Sequence, residues 1–147
     1  MNNSPFQMLL DNAQSIQRSL GEDTMQMALA IEAKQTALQA HREAQAAYDE
    51  AEAEFMFNIM FGDDEDYGKA KNAETRKLVL DRAIIAARGT GPLAQPWRIL
   101  NACKADLDNA QMAYDQAEAR FKAVRVAAEL QGAMLLGLAA DAKLLRG

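Results

Sequence analysis

The chain has little of what disulfide-stapled, metal-binding or catalytic proteins use. Its 147 residues include one cysteine, one histidine and only 6 % aromatics. A single cysteine excludes an intramolecular disulfide, so a secreted fold held together by bridges is not expected. His41 and Cys103 have no partners at the spacing of a metal site or a nucleophile–base pair. We therefore expect both side chains to pack within helices, and we expect no enzymatic activity, no cofactor and no metal site.

Long uncharged apolar runs are also missing. The start of the chain has no basic, apolar leader segment. The most apolar stretch, 126–142, contains Glu129 and Asp141 and is shorter than the ~20 apolar residues that a bilayer requires. We expect a soluble, cytoplasmic protein with no membrane partner and no evident small-molecule substrate.

Alanine dominates what is present, with 30 copies in the chain. Because each alanine buries little apolar area, such a chain favours closely approaching helices over a thick core. From Thr24 to Phe61 there is no glycine or proline. Here alanines recur at alternating steps of three and four, which predicts a coiled-coil seam: Ala30, Ala33, Ala37, Ala40, Ala44, Ala47 and Ala51. A second stripe beside it, His41, Tyr48 and Phe55, is spaced by seven.

The breaks in this pattern divide a single predicted domain, 1–147, into four helices. Ser4-Pro5 predicts a helix start, Gly21 predicts its end, and Pro96 predicts the start of the last helix. The predicted elements are a short helix at 5–20, a long helix at 24–61, an acidic loop at 62–68, a basic helix at 71–88 and a long helix at 97–144.

One short stretch is written twice, as AYDEAEAEF at 47–55 and AYDQAEARF at 113–121. The two copies share seven of nine residues, so the two long helices present the same pattern to a partner. If they pack antiparallel with Ala51 opposite Ala117, the start of one helix meets the end of the other. We therefore predict an all-α fold, a long antiparallel helical hairpin with an alanine-rich, coiled-coil-like seam and two shorter helices. The pairing could lie within one chain or between chains.

The last helix keeps a four–three apolar rhythm from Cys103 to Leu145, interrupted only at Gln131. Its leucine-rich end lacks any obvious partner within a thin, alanine-rich core. We therefore predict a homo-oligomer, held by this end of the helix. The predicted oligomerisation residues are Leu130, Met134, Leu135 and Leu138.

Charge is unevenly distributed along the chain. Residues 1–67 carry 13 acids and three bases, whereas residues 68–147 carry eight acids and 13 bases. The bases are densest on the predicted helix at 71–88, which follows the acidic run Asp63–Asp66. A solvated helix face and an anion-binding face are both consistent with this pattern. The candidate residues for contact with nucleic acid or a partner are Lys71, Asn72, Arg76, Lys77 and Arg82, of which Asn72 can also cap the helix.

The segment GKAKNAETRK, 68–77, resembles a Gly-Lys-Asn-Ala-x-x-Arg-Lys signature of uncharacterised bacteriophage and prophage proteins. Those proteins are also helical, with this motif between two long helices. Gly68, Asn72 and Arg76 are among the matching positions, whereas Lys69-Ala70 is a small insertion and the leucine-rich tail is not general to the group. The resemblance implies a phage or mobile-element origin, often among replication and recombination genes, and no established activity.

Together these features favour a non-enzymatic accessory protein in DNA replication, recombination or repair within a bacterial host cell. It would act by binding DNA or a DNA-processing protein. One alternative is an inhibitor or anti-defence protein whose acidic half acts on a host nuclease or defence factor. The other is a structural scaffold or adaptor. A continuous basic surface favours the first function, and a continuous acidic ridge favours the second.

Overall fold

The described part of the chain folds entirely into helices and the turns between them. The computed structural model describes residues 4–146. These contain four helices and no strand: α1 (Pro5–Phe61), α2 (Glu65–Lys69), α3 (Ala73–Thr90) and α4 (Ala94–Arg146). The two long helices are 57 and 53 residues long. The predicted all-α class is therefore confirmed.

Helix α1 begins at the predicted Ser4-Pro5 site but does not end at Gly21. The Ser4 hydroxyl oxygen accepts a hydrogen bond from the Gln7 N–H at 3.2 Å, as an N-cap does. Gly21 lies inside the helix with an ordinary negative φ. A glycine costs a helix only about 1 kcal/mol relative to alanine, which packing on either side offsets. The predicted short helix and the long helix that follows it are therefore one element.

The acidic segment is only partly a loop. Asp64 accepts a hydrogen bond from the Tyr67 N–H at 2.8 Å and caps the short helix α2, which holds most of the predicted loop. After Ala70 and Lys71, Asn72 caps α3 through hydrogen bonds from the N–H and hydroxyl of Thr75, both at 2.8 Å. Helix α3 therefore begins one residue after the cap that the sequence indicated.

Helix α4 begins before Pro96 rather than at it. Pro96 is the third residue of the helix. The first four N–H groups of a helix have no intrahelical acceptor, so a proline there removes no helical hydrogen bond. The buried Leu93, which is only 1 % exposed, fixes the chain at this turn.

The chain forms two compact units, which are described separately. Unit 1 is described over residues 4–34 and 110–146, and unit 2 comprises Gln35–Asn109. In unit 1, α4 packs antiparallel to α1 within the same chain. The Gln131 amide donates to the Leu9 main-chain oxygen at 2.8 Å, and the Lys34 ammonium lies 4.4 Å from the centre of the Tyr114 ring.

Within one chain Ala51 is not paired with Ala117, so that form of the predicted pairing is wrong, whereas pairing between chains stays a prediction. In unit 1, Ala117 lines a cavity with Leu29 and Ala30, whereas in unit 2, Ala51 lines one with Pro92 and Leu93. The predicted register would carry the start of α4 past the end of α1 and leave its large side chains exposed. The observed register instead buries Leu100 and sets Trp97 against Tyr48, because burying large apolar groups stabilises more than matching two similar helix faces.

Unit 2 contains the hydrophobic core. Its buried members come from three helices and the turn before α4: Ala44, Tyr48, Ile84, Ala87, Leu93 and Leu100. Cys103 packs against this cluster as a half-buried side chain. The core of unit 2 therefore joins α3 to both long helices.

Only every second alanine of the predicted seam faces inward. Ala30, Ala37, Ala44 and Ala51 are buried or half-buried, whereas Ala33, Ala40 and Ala47 are exposed. The inward positions four residues later are taken by larger side chains: Lys34, His41, Tyr48 and Phe55. Alanine alone cannot fill the space between two helices, so the seam and the neighbouring stripe form one contact face.

Candidate binding surfaces

Two of the five predicted contact residues, Asn72 and Arg76, build the turn between α2 and α3. Asn72 caps the helix. The Arg76 guanidinium donates from Nε to the Ala70 main-chain oxygen at 3.4 Å and lies 5.9 Å from the centre of the Tyr67 ring. Both residues belong to the motif at 68–77, so part of that motif has a structural role in this chain.

The other three predicted residues, Lys71, Lys77 and Arg82, are exposed. None of the three forms an ion pair with any residue in the described range, 4–146. Lys77 and Arg82 are five residues apart and therefore point about 140° apart around the helix. The three cations do not converge on one point, so they do not form a cradle for a single phosphate.

The outer face of α3 mixes charge with exposed apolar groups. Leu78 is 55 % exposed and Ile85 is 67 % exposed, and Arg82 lies between them on the same face. Glu74 and Asp81 lie three residues before and four residues after Lys77. Arg82 also borders an open cleft with Asp64 and Asp66 at its edge. This face is therefore not a continuous basic surface.

Arg88, at the end of the predicted basic helix, is half-buried and lies beside the core of unit 2. Arg88 donates from Nε to the Tyr48 hydroxyl at 2.6 Å, and its second amino group lies 3.5 Å from a Glu52 carboxylate oxygen. Its guanidinium lies 4.0 Å from the centre of the Trp97 ring, a cation–π contact. The Tyr48 and Trp97 rings are 5.3 Å apart, tilted by 52°.

The Arg88 cluster, formed by Tyr48, Glu52, Arg88 and Trp97, ties the end of α3 to α1 and α4. Burial raises the pKa of the Tyr48 hydroxyl above 10.0, and Glu52 raises it further, while Arg88 opposes the shift. The phenol is therefore neutral at physiological pH. Sequence reasoning missed this cluster because 40 residues separate Tyr48 from Arg88, and no local pattern connects them.

Three of the four predicted oligomerisation residues are exposed. Leu130 is 61 %, Met134 54 % and Leu138 38 % exposed. Leu135 is half-buried and lines a cavity of unit 1 with Ile16 and Leu20, so it faces α1 of its own chain. Gln131, which interrupts the apolar rhythm, occupies the inward position next to it.

Among residues 4–146 there is no group of three histidine, cysteine, aspartate or glutamate side chains placed to hold a metal ion. Helix α4 contains an 18-residue window of mean hydropathy 1.3, none of which is buried. By length and composition alone, α4 could cross a membrane.

The chain was compared with known proteins at the level of sequence and of structure. No family model, curated protein or solved structure matches it.

Proposed function

We propose that this chain is a non-enzymatic accessory protein that binds a DNA-processing protein through the outer face of α3. The observation that carries the proposal is the combination of Leu78, Arg82 and Ile85 on one exposed helical face. Side chains at such i, i+4 and i+7 positions are the anchors by which a helix docks into a groove. The partner surface that fits them is an apolar groove with acidic residues at its edge.

The same face is less suited to nucleic acid. Binding to a phosphate backbone depends on several cations acting together, and here Glu74 and Asp81 lie close to Lys77. Unit 2 as a whole carries 13 acids against nine bases. Contact with phosphates would also leave Leu78 and Ile85 in water. These features favour a protein partner over DNA.

The setting in DNA replication, recombination or repair rests on the resemblance of residues 68–77 to phage and prophage proteins. A bacteriophage origin and a location in the cytoplasm of the bacterial host are parts of the same proposal. The binding surface on α3 is argued from contacts and exposure, and so it does not depend on that setting.

A photo-crosslinking amino acid placed at Leu78 tests the proposal in extract of a bacterial host. We expect one DNA-processing protein to be crosslinked, and the crosslink to disappear when Arg82→Glu and Ile85→Glu are added. The matched control carries the crosslinker at Met112, which is 60 % exposed and lies in unit 1. A product equally strong from both positions would contradict the proposed surface.

A salt series with fluorescent single-stranded and duplex DNA distinguishes the nucleic-acid alternative. Each duplex phosphate that a cation neutralises contributes ~0.9 to the salt slope, so Lys77→Ala with Arg82→Ala would lower the slope by roughly two if both residues bind phosphates. Arg76 is left unchanged because it closes the α2–α3 turn. Tight duplex binding with this change in slope would replace the protein partner by DNA.

One observation favours the anti-defence alternative as a second candidate. Glu43, Glu50 and Glu54 form an exposed stripe on α1, because residues seven and four apart lie on one helical face. Asp63–Asp66 extend the acidic charge of the same unit. Glu52 is not part of this surface, since it pairs with Arg88.

This candidate predicts inhibition of a nuclease in host extract by the purified chain. Replacing Glu43, Glu50 and Glu54 by glutamine should abolish the inhibition. A control with Asp11, Glu22 and Glu32 replaced by their amides removes the same charge from unit 1. Equal inhibition by both variants would exclude the stripe, and a scaffold role predicts no inhibition by any of them.

A further inference from the structure

Helix α4 has an exposed apolar stripe with the spacing of a coiled-coil seam. In unit 1, α1 covers the face of α4 that carries Phe121, Ala128 and Leu135, which are half-buried. On the opposite face, exposed apolar residues alternate at steps of four and three, as in a heptad repeat. This α4 stripe consists of Ala119, Ala123, Val126, Leu130, Ala133, Gly137, Ala140 and Leu144.

The α4 stripe contains large side chains that are far from buried. Val126 is 55 %, Leu130 61 % and Leu144 80 % exposed. Apart from the backbone of its own helix, a Cβ added to Gly137 would meet no atom of the described chain within 4 Å. The surface is therefore open to a second helix along its whole length.

We propose that a second copy of this chain covers the α4 stripe, with the two α4 helices antiparallel in a twofold-symmetric dimer. In one register every layer pairs a large side chain with a small one, or two alanines. Leu144 lies opposite the partner's Ala119, Val126 opposite the partner's Gly137, and Leu130 opposite the partner's Ala133. Because the two side chains of each layer have a similar combined size, the two helices can keep one constant distance, as close packing requires.

Charges at the edge of the stripe support the same register. Arg120 and Asp141 flank the stripe on the same side, and neither has an ion pair within residues 4–146. In an antiparallel pair, Arg120 faces the partner's Asp141, and symmetry produces this contact twice. On the other flank Lys122 faces the partner's Lys143, but Lys122 is already bridged to Glu118 at 3.0 Å.

A register shifted by seven residues would instead pair Glu129 with the partner's Lys143. It places Val126 against the partner's Leu144 and Ala133 against the partner's Gly137, so large residues meet large ones and small meet small. It also shortens the overlap from 26 to 19 residues of the chain. Exposed ion pairs contribute little, whereas apolar stabilisation grows with buried area, so the longer register is favoured.

The variant Gly137→Leu distinguishes a loss of dimerisation from a loss of the monomer fold. Within its own chain Gly137 is exposed and an added Cβ meets no atom beyond its own helix backbone within 4 Å, and leucine is a better helix former than glycine. In the dimer it would collide with the partner's Val126. Light scattering and sedimentation should show twice 16.1 kDa for the wild type. We expect about tenfold or more weaker association in Gly137→Leu at unchanged helicity.

Gly21→Leu is the matched control, since Gly21 is another helical glycine with open space around it, on α1. This variant should keep the wild-type mass. A dimer that tolerates Gly137→Leu at unchanged affinity would overturn the proposed contact. A wild type that remains monomeric into the high micromolar range would overturn the dimer itself.

A charge-swap cycle tests the register. Arg120→Asp and Asp141→Arg should each weaken the dimer by about fivefold or more, because each replaces two attractive contacts by two repulsive ones. Combining them should return affinity to nearly the wild-type value. Additive weakening in the combined variant would overturn this register. Flotation of a monomeric wild type with phosphatidylcholine vesicles would show instead that a membrane covers the stripe.

Discussion

The side-chain amide of Gln131 donates a hydrogen bond to the main-chain oxygen of Leu9 at 2.8 Å. Gln131 is the one residue that interrupts the apolar rhythm of α4, and it occupies an inward, half-buried position. Its bond spans 122 residues of sequence and ties α4 to the first turns of α1. The polar residue that interrupts the rhythm therefore forms a hydrogen bond between α4 and α1 in unit 1.

Replacing Gln131 by alanine should lower the free energy of unfolding by about 1 kcal/mol, the usual contribution of one hydrogen bond. Gln131→Leu should be closer to neutral, because added apolar burial offsets the missing bond. Urea denaturation followed by circular dichroism measures both values. An alanine variant as stable as the wild type would show that the bond contributes nothing.

Arg88→Ala should destabilise the protein by about 2 kcal/mol, the contribution of a hydrogen bond to a charged group. The change removes the donor to Tyr48, the ion partner of Glu52 and the cation over Trp97. Arg82→Ala, on the same helix but exposed, is the control and should stay within about 0.5 kcal/mol. Tryptophan fluorescence should shift only in the Arg88 variant, because Trp97 is the sole tryptophan. Equal effects from both variants would argue against the cluster.

Stability should fall above pH 10 in a way that depends on Tyr48. Burial raises the pKa of this hydroxyl above 10.0 in the folded protein, so the folded state retains its proton where the unfolded state releases it. The contribution is full below pH 10 and is lost as pH rises through the folded pKa. The difference in unfolding free energy between wild type and Tyr48→Phe, measured at intervals from pH 8 upwards, should therefore shrink above pH 10. A difference that stays constant with pH would contradict the shift.

Two glycines should respond in opposite ways to the same change. Gly21→Ala should raise the free energy of unfolding by about 1 kcal/mol, since Gly21 is helical and nothing lies within 4 Å of the added Cβ. Gly91→Ala should lower it, because the new Cβ would lie 2.8 Å from Ala87 Cα and 3.3 Å from Ala87 Cβ. Thermal and urea unfolding of both variants provide the comparison. Destabilisation by Gly21→Ala would indicate a helix break there after all.

The helices themselves were largely predictable, because the patterns that produce them are local. Ser4 and Asn72 cap helices through neighbours within a few residues, and the four–three positions of α4 are half-buried from Cys103 to Leu135. The helix end predicted at Gly21 was wrong because one glycine destabilises a helix by only about 1 kcal/mol, which is small beside the stabilisation from packing along the helix. The acidic segment was predicted as a loop because Asp64 could be recognised as a helix cap only once the helix after it was known.

The sequence by itself determined the helical class, the antiparallel arrangement of the two long helices and the apolar rhythm of α4. Tertiary structure alone decided the register, which depends on Trp97, Leu93 and Leu100 entering the core rather than on the twin motif. It also decided that Arg76 and Arg88 make internal contacts while Lys77 and Arg82 stay exposed. The physical reason is range: helix formation follows from contacts three or four residues apart, whereas register and the use of each charge depend on side chains tens of residues away.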